Sequence, residues 1–480
     1  MTDPWATFGA DLHLELAGRG QRGRERPAGE AGSGGSGGTG GPTGVKAGLV
    51  HALREAVRGG RLAAGTRLPS SRQLAADLGL ARNTVADGYA QLVAEGWLTA
   101  RQGSGTRVAA RPATPPRAPA RPGPSYSLVP GSPDLSGFPR AAWLAAARRA
   151  LTEAPHEAFG YGDPRGRTEL RVVLAAYLAR ARGVYADPER LVLCAGFAHG
   201  LMLLTEVLGR RGARAVAVDS YSLDIHRGLV ERGGLRTVPR TAEELPGPDA
   251  GAVLLTPAHQ FPTGSAMPPE RRAALLDWAR TTGGTVLEDD YDGEFRYDRQ
   301  LVGALQGLDP DRVVYLGTAS KSLAPGLRIG WMVLPPDLLP EVVAAKGHAE
   351  WASSSLEQLT LAQFIASGAY DRHVRAMRLR YRRRRDQLVA ALAEGCPGLA
   401  VSGVAAGLHA VLDLPAGTEP KVLRAAAERG LRLEGLARYR HPEAGLPERD
   451  GVVIGYATPS DSAWGPTLAA LREALREAAT

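Results

Sequence analysis

The sequence predicts a small helix-turn-helix unit joined by a proline-rich spacer to a mostly parallel α/β domain that ends in a smaller α+β lobe. Apolar residues at helical spacing around a tight glycine turn mark residues 45 to 94. Prolines crowd residues 109 to 125. Beyond them short apolar runs alternate with helical patterns, which is the order of a parallel sheet.

Composition narrows the function classes. With 480 residues, 44% of them hydrophobic, the chain can bury a large core. A net charge of +8 suits a polyanionic partner without naming one. Cys194 and Cys396 stand far apart in apolar context without metal-ligand spacing, so buried free thiols in a reducing compartment are expected. No charged-then-apolar leader and no apolar run of about 18 residues is present, which predicts a cytoplasmic protein without membrane insertion.

Residues 1–44 begin with the alternating Asp11-Leu-His-Leu-Glu-Leu16, a candidate short strand, and pass into a Gly/Ser-rich tract that reads as a flexible linker. The first unit is expected over 45–108. Val45, Leu49, Leu53 and Val57 recur four apart, predicting a helix with one buried face that Gly59-Gly60 stop. Ser70-Ser71 cap a second helix, which Gly79 ends. A third opens near Ala81 and places Val85, Tyr89 and Leu92 inward, leaving Arg82, Asn83 and Thr84 at its exposed start. Gly96 to Val108 reads as a hairpin with a glycine-rich tip. Residues 109–126 form the spacer and 127–480 the large domain, with strands predicted at 191–194, 215–218, 252–255, 285–288, 313–316 and 329–332. A long helix spans Tyr370 to Leu392, and the small lobe holds 410–414, 422–429 and 451–456. The arginines at 378, 380 and 382–385 read as a solvated helix face, with docking of DNA or of the DNA-binding unit as the alternative.

Lysine is scarce: the chain has 54 arginines and only Lys46, Lys321, Lys346 and Lys421. Arginine serves wherever a fixed positive charge suffices, whereas a desolvated lysine can become a neutral amine and condense with an aldehyde to a Schiff base. Lys321 sits in Gly317-Thr-Ala-Ser-Lys-Ser-Leu-Ala-Pro-Gly-Leu-Arg-Ile-Gly-Trp331, just past a predicted strand. Open α/β sheets bind ligands at such a carboxyl end. Thr318, Ser320 and Arg328 around it are suited to a phosphate.

This stretch, with Glu288-Asp-Asp-Tyr-Asp-Gly-Glu-Phe295 upstream and the winged-helix pattern, resembles the MocR-type regulators of the GntR superfamily, over residues 45 to 478. The resemblance implies a winged helix-turn-helix followed by a fold-type I aminotransferase-like domain that binds pyridoxal 5'-phosphate (PLP). Leu68-Pro-Ser-Ser-Arg72, Arg82-Asn-Thr84 and Gly103-Ser-Gly105 match the DNA-binding part. By that likeness Arg72, Arg82 and Thr84 contact double-stranded DNA, supported by Ser71, Asn83, Arg101 and Gly103. Lys321 would form the Schiff base, Asp289 face the pyridine nitrogen and Tyr291 the ring hydroxyl. Thr318, Ser320, Arg328 and the turn Gly196-Phe197-Ala198 would hold the phosphate. Phe197 or His199 either stacks on the ring or fills core, and Asp290 and Asp292 have a bland reading as water-exposed loop acids. Thr256-Pro-Ala-His259-Gln-Phe-Pro-Thr-Gly264 would run beneath the cofactor, with His259 as a contact or as a structural histidine satisfying loop carbonyls. Tyr161 would reach the phosphate of a partner subunit in a domain-swapped homodimer.

Two departures bear on activity. The arginine that clamps a substrate carboxylate in such aminotransferases is replaced by Val453, and the segment 235–245 is short for the family. Arg227 and Arg438 are candidate substitutes. The sequence therefore favours a transcriptional regulator that senses PLP or a small amino compound. A working aminotransferase that also binds DNA, and a repressor whose domain only dimerises, are the alternatives.

Overall fold

One apolar seam holds the N-terminal unit together. In the computed structural model, which describes residues 44–101, 105–110, 125–297, 302–347 and 354–479, the chain divides into two compact units, Met1–Ala120 and Arg121–Thr480. The Leu12 segment, the Gly/Ser-rich tract, most of the proline-rich spacer and Gly103 at the hairpin tip lie outside the described residues. Helix α1 (Val45–Arg58) buries Leu49, Val50, Leu53 and Ala56. The seam is thus turned from the predicted one: Val45 is 40% exposed, because the face follows a spacing of 3.6 rather than a strict four. Helix α2 (Ser71–Leu78) starts where Ser70 accepts a hydrogen bond from the Gln73 amide and ends at Gly79, whose φ of 63° suits glycine. Helix α3 (Arg82–Ala94) buries Val85, Tyr89 and Leu92 as expected, and the Tyr89 hydroxyl donates to the Pro69 carbonyl at 3.1 Å. Strands β1 (Leu98–Arg101) and β2 (Gly105–Val108) pair antiparallel, and the Leu68 amide donates to Thr106 O.

The second unit is built on a seven-stranded sheet. Helices α4 (Arg140–Glu153) and α5 (Thr168–Arg182) lead to β3 (Leu191–Cys194), α6 (Phe197–Arg210), β4 (Ala215–Asp219), α7 (Asp224–Arg232), β5 (Arg236–Arg240), β6 (Ala250–Leu255), α8 (Pro269–Thr282), β7 (Thr285–Asp289), β8 (Val313–Thr318) and β9 (Gly330–Val333). Their order is β3-β9-β8-β7-β6-β4-β5, with β9 antiparallel to both neighbours. Strands β3, β7 and β8 are buried almost throughout, β3 although it lies at an edge of the sheet, hence their continuous apolar runs. All six predicted strands of the sheet are present. The missed one is β5, Arg-Thr-Val-Pro-Arg, inside the segment read as a shortened connection. As an edge strand it tolerates Pro239 and flanking arginines, which hid it.

Helices α9 (Leu339–Lys346), α10 (Ser355–Ala366) and the long α11 (Ala369–Gly395) precede the small lobe. There β10 (Ala410–Asp413) and β11 (Gly451–Ile454) pair antiparallel, flanked by short strands at Val401–Ser402 and Glu434–Gly435 and covered by α12 (Glu419–Glu428) and α13 (Asp461–Ala479).

The arginine run of α11 is not one solvated face. Arg384 is 2% exposed and binds Asp134 Oδ2 at 2.8 Å, Asp461 Oδ1 at 2.6 Å and the Pro459 carbonyl at 2.7 Å. Arg380 shares Asp134 at 3.2 Å, and Arg378 Nε donates to Glu294 O. These residues stitch the start of the unit to its last helix. Removing one partner strands a buried charge, so Asp134→Ala is expected to lower the stability of the second unit by about 3–5 kcal/mol. Chemical denaturation followed by tryptophan fluorescence measures this.

Candidate functional site

Strand direction gathers the predicted residues. Strands β3, β4, β6, β7 and β8 run parallel and end on one edge of the sheet, and β9 begins there because it runs the other way. Gly330 pairs with both Thr318 and Cys194, which sets Arg328, Ser320 and Gly196 side by side. Helix α6 starts at Phe197 with no side chain capping its first amides. Those free N–H groups and the helix dipole form an anion site. Arg328 closes it: its Nη2 donates to Ala195 O at 2.5 Å, and a Cβ on Gly196 would lie 3.3 Å from its Nη1. Arg328 also has the only positive φ among the described non-glycine residues, 54°, a strained conformation of the kind found at ligand sites. Thr318 Oγ1 donates to Ser320 Oγ at 2.8 Å and accepts from the Ser320 amide, so both hydroxyls are held on this edge. His199 accepts from the Ala195 amide through Nδ1, closing the turn, and Phe197 stacks on His226 with ring centroids 4.3 Å apart.

Lys321 lies within reach of the charges of Asp289 and Asp292. Its Nζ donates to Gly131 O at 2.5 Å. Burial pulls the ammonium below its usual range, while Asp289 and Asp292 oppose the shift. Asp289, last residue of β7, is 5% exposed, its Oδ1 has no hydrogen-bond partner, and burial holds its carboxyl well above the usual range against the pull of Lys321. The lysine thus meets one carbonyl and two acids, while the Asp289 carboxyl keeps one oxygen without a hydrogen bond.

The acids around Asp289 are all buried, which corrects the expectation of water-exposed loop residues at 290 and 292. Asp290 forms a two-point ion pair with Arg182, at 2.6 and 2.9 Å, and accepts from the Tyr315 hydroxyl at 2.8 Å. Asp292 Oδ2 lies 2.8 Å from His259 Nδ1. Tyr291 Oη is 3.2 Å from that same nitrogen and donates to His259 O. His259 therefore holds a carboxylate and a phenol rather than loop carbonyls. His409 lies 4.8 Å from it between ring centroids, and burial pulls its imidazolium well below the usual range. Sequence reasoning missed Gly131, Arg182, His226, Tyr315 and His409. Each comes from a distant segment, and only the fold brings it to Lys321 or its acids.

The place of the expected carboxylate clamp is apolar. Val453, fully buried on β11, packs with Tyr221, Val411, Leu436 and Tyr439, and Phe261 lies against them. Neither substitute is free: Arg227 donates to the carbonyls of Ser222 and Tyr439, and Arg438 pairs with Glu434 and Asp224. Tyr161 is 89% exposed.

The profile of the family described as aminotransferase class I and II matches residues 131–445, and that of bacterial regulatory proteins, gntR family, matches 46–108. The chain is a MocR-type regulator of the gntR family. It is 31% identical to the HTH-type pyridoxine biosynthesis transcriptional regulator PdxR of Corynebacterium glutamicum, over 90% of this chain and 96% of that one. It is 33% identical to the probable rhizopine catabolism regulatory protein MocR of Rhizobium meliloti, over 85% and 89%. The second unit shares its fold with an archaeal alanine:glyoxylate aminotransferase, at TM-score 0.65 and 23% identity over 73% of this chain and 91% of the other.

The donor set of this regulator fits PLP, the cofactor implied by the aminotransferase class. The α6 turn and Arg328 suit a phosphate, the unpartnered Asp289 oxygen suits a protonated ring nitrogen, and Lys321 suits an aldehyde. In the winged helix, Arg72, Arg82, Asn83 and Arg101 are exposed, with Ser71 and Thr84 half-buried at the helix starts.

Lys321→Arg, which keeps the charge but cannot condense, is expected to abolish the visible absorbance of PLP-loaded protein; a spectrum equal to wild type would exclude Lys321 as the attachment point. Glu294 yields a pH prediction. Burial, then Asp290, lifts its carboxyl from the ordinary 4.5 to about 7, so the folded state keeps this proton longer than the unfolded chain does. Stability should fall as pH rises from 4.5 to about 7, and Glu294→Gln should flatten that slope in denaturation midpoints.

Proposed function

We propose that this regulator reads promoter DNA through Arg72, Arg82 and Thr84 and uses the Lys321 site as the sensor of PLP itself or of a small amino compound. Buried Val453 carries the choice of sensor over enzyme. Productive proton removal from an amino acid requires its carboxylate to be held in one orientation. A carboxylate set against this apolar cluster without a counter-charge loses several kcal/mol of solvation.

Bound PLP supplies an aldehyde that is electrophilic toward primary amines. The chain's own groups prepare it. Asp289, once ionised beside the ring nitrogen, holds the proton on that atom. Arg328 and the α6 amides would anchor the phosphate. Tyr291 would meet the ring hydroxyl, and His259 with Asp292 orients Tyr291. Burial brings Lys321 closer to its neutral form, which is the nucleophilic one.

A homodimer completes this reading. Leu144, Leu151, Phe159 and Tyr161 are 60, 56, 54 and 89% exposed, more apolar surface than a monomer's solvated face needs. Tyr161 would be delivered across such an interface to the partner's phosphate. None of the described helices is long and apolar enough to cross a membrane, in keeping with a cytoplasmic regulator.

The test is to incubate PLP-loaded protein with B6 vitamers and a panel of amines and amino acids, following keto-acid formation and DNA affinity together. We expect a ligand-dependent change in DNA affinity with no keto-acid turnover. Rapid turnover would instead make the chain an aminotransferase that also binds DNA. Arg82→Ala is expected to weaken binding to a selected operator by about 1–3 kcal/mol, roughly tenfold or more, with the cofactor spectrum unchanged. Loss of both would assign Arg82 to folding.

A further inference from the structure

Helix α11 carries eight arginines against three acids and sorts the arginines by the direction they face. Arg378, Arg380 and Arg384 are tied to Glu294 O, Asp134 and Asp461. Arg372, Arg375, Arg382 and Arg383 are exposed. At about 100° per residue these four fall with Leu379 and Asp386 on the side opposite the buried seam of Met377, Tyr381 and Leu388. Their charges are scarcely used within the chain. Arg372 reaches only the Ser367 carbonyl, at 3.3 Å, and Arg382 meets Asp386 at the outer limit of 4.0 Å. Among the described residues Arg383 is not hydrogen-bonded and feels Asp461 only at a distance, as the weakest of the charges acting on that carboxyl.

An ordinary solvated face intersperses both signs. Here four guanidinium groups and one carboxylate line about 20 Å of helix, at 1.5 Å per residue. Guanidinium groups recognise phosphate through paired hydrogen bonds, and a duplex offers phosphates along such a length. Resting on the DNA-binding reading above, we infer that this face of α11 is an accessory contact for the phosphate backbone of DNA flanking the site read by the winged helix. The contact is independent of sequence, adding affinity and salt sensitivity without base recognition.

The experiment uses the full-length, PLP-loaded protein and a duplex selected by it from a random pool. The duplex is made once with long flanks, about six helical turns in all, and once trimmed to about two turns. Affinity is measured from low to moderate salt for wild type and for the triple variant Arg375→Gln, Arg382→Gln, Arg383→Gln. Three lost phosphate contacts should lower the slope of log K against log salt by roughly two to three. They should weaken long-duplex binding about tenfold or more at low salt while leaving the short duplex and the cofactor spectrum unchanged. The charge-keeping triple arginine-to-lysine variant should restore most of the slope. Equal slopes for wild type and the glutamine variant on the long duplex would overturn the inference, as would an equal loss on both duplexes. If instead wild type binds no better than Arg82→Ala on either duplex, the DNA-binding reading itself has failed.

Discussion

Everything at the sheet edge depends on how buried acids are satisfied. Residues 288 to 294 carry five carboxyls, all largely buried, at the end of β7 and in the loop that follows it. A buried carboxylate is costly unless it is paired or hydrogen-bonded. Glu288 accepts from the amides of Leu305 and Gln306, Asp290 takes Arg182 and Tyr315, Asp292 takes His259, and Glu294 meets the Tyr370 hydroxyl. Asp289 alone keeps an oxygen without a hydrogen bond. Its neighbours are tied to separate parts of the unit, so the loop cannot easily turn it toward water. A buried acid with a free oxygen suits a cationic partner, which a protonated ring nitrogen would supply in the proposed site.

The same logic separates binding a cofactor from turning over a substrate. The groups facing the ring and phosphate are present and fixed by strand ends. The wall expected to meet a substrate carboxylate is Val453 with Tyr439 and Phe261. Nearby arginines are engaged: Arg227 by carbonyls, Arg240 by Asp219 at 3.0 Å. Freeing one would strand its present partners. The arrangement supports the proposed reading, in which an aldehyde would sit near Lys321 and an incoming amine would meet an apolar wall.

How much of this was legible follows from the range of each interaction. The strands of the sheet core and the helices of the first unit were readable because burial writes a local period into the sequence. The edge strand Arg236–Arg240 was not, since half its backbone faces away from the sheet and its composition carries no run. At the site, Lys321, Asp289, Thr318 and Arg328 lie at strand ends whose positions the apolar runs announce. Arg182, Tyr315 and His409 were invisible because their role exists only through contacts across 25 residues or more, such as Tyr315 to Asp290. The rule that a rare lysine marks chemistry holds only in part. Lys346 is as deeply buried as a core residue and donates to the Pro164 carbonyl, a single acceptor that an ammonium suits better than a guanidinium fork.

Regulation adds a thermodynamic condition. A ligand at Lys321 alters DNA affinity only if it binds the DNA-competent and DNA-incompetent states differently, and DNA must then alter ligand affinity by the same factor. In the sensor reading PLP would bind most tightly where Asp289 and Lys321 keep their spacing, and a ligand that left Lys321 charged would leave that charge to Asp289, Asp292 and the Gly131 carbonyl. Gly131, whose carbonyl accepts from Lys321, follows Val129 and Pro130, whose backbone packs against Gly455 just past β11, so Lys321 and the small lobe touch the same stretch of chain.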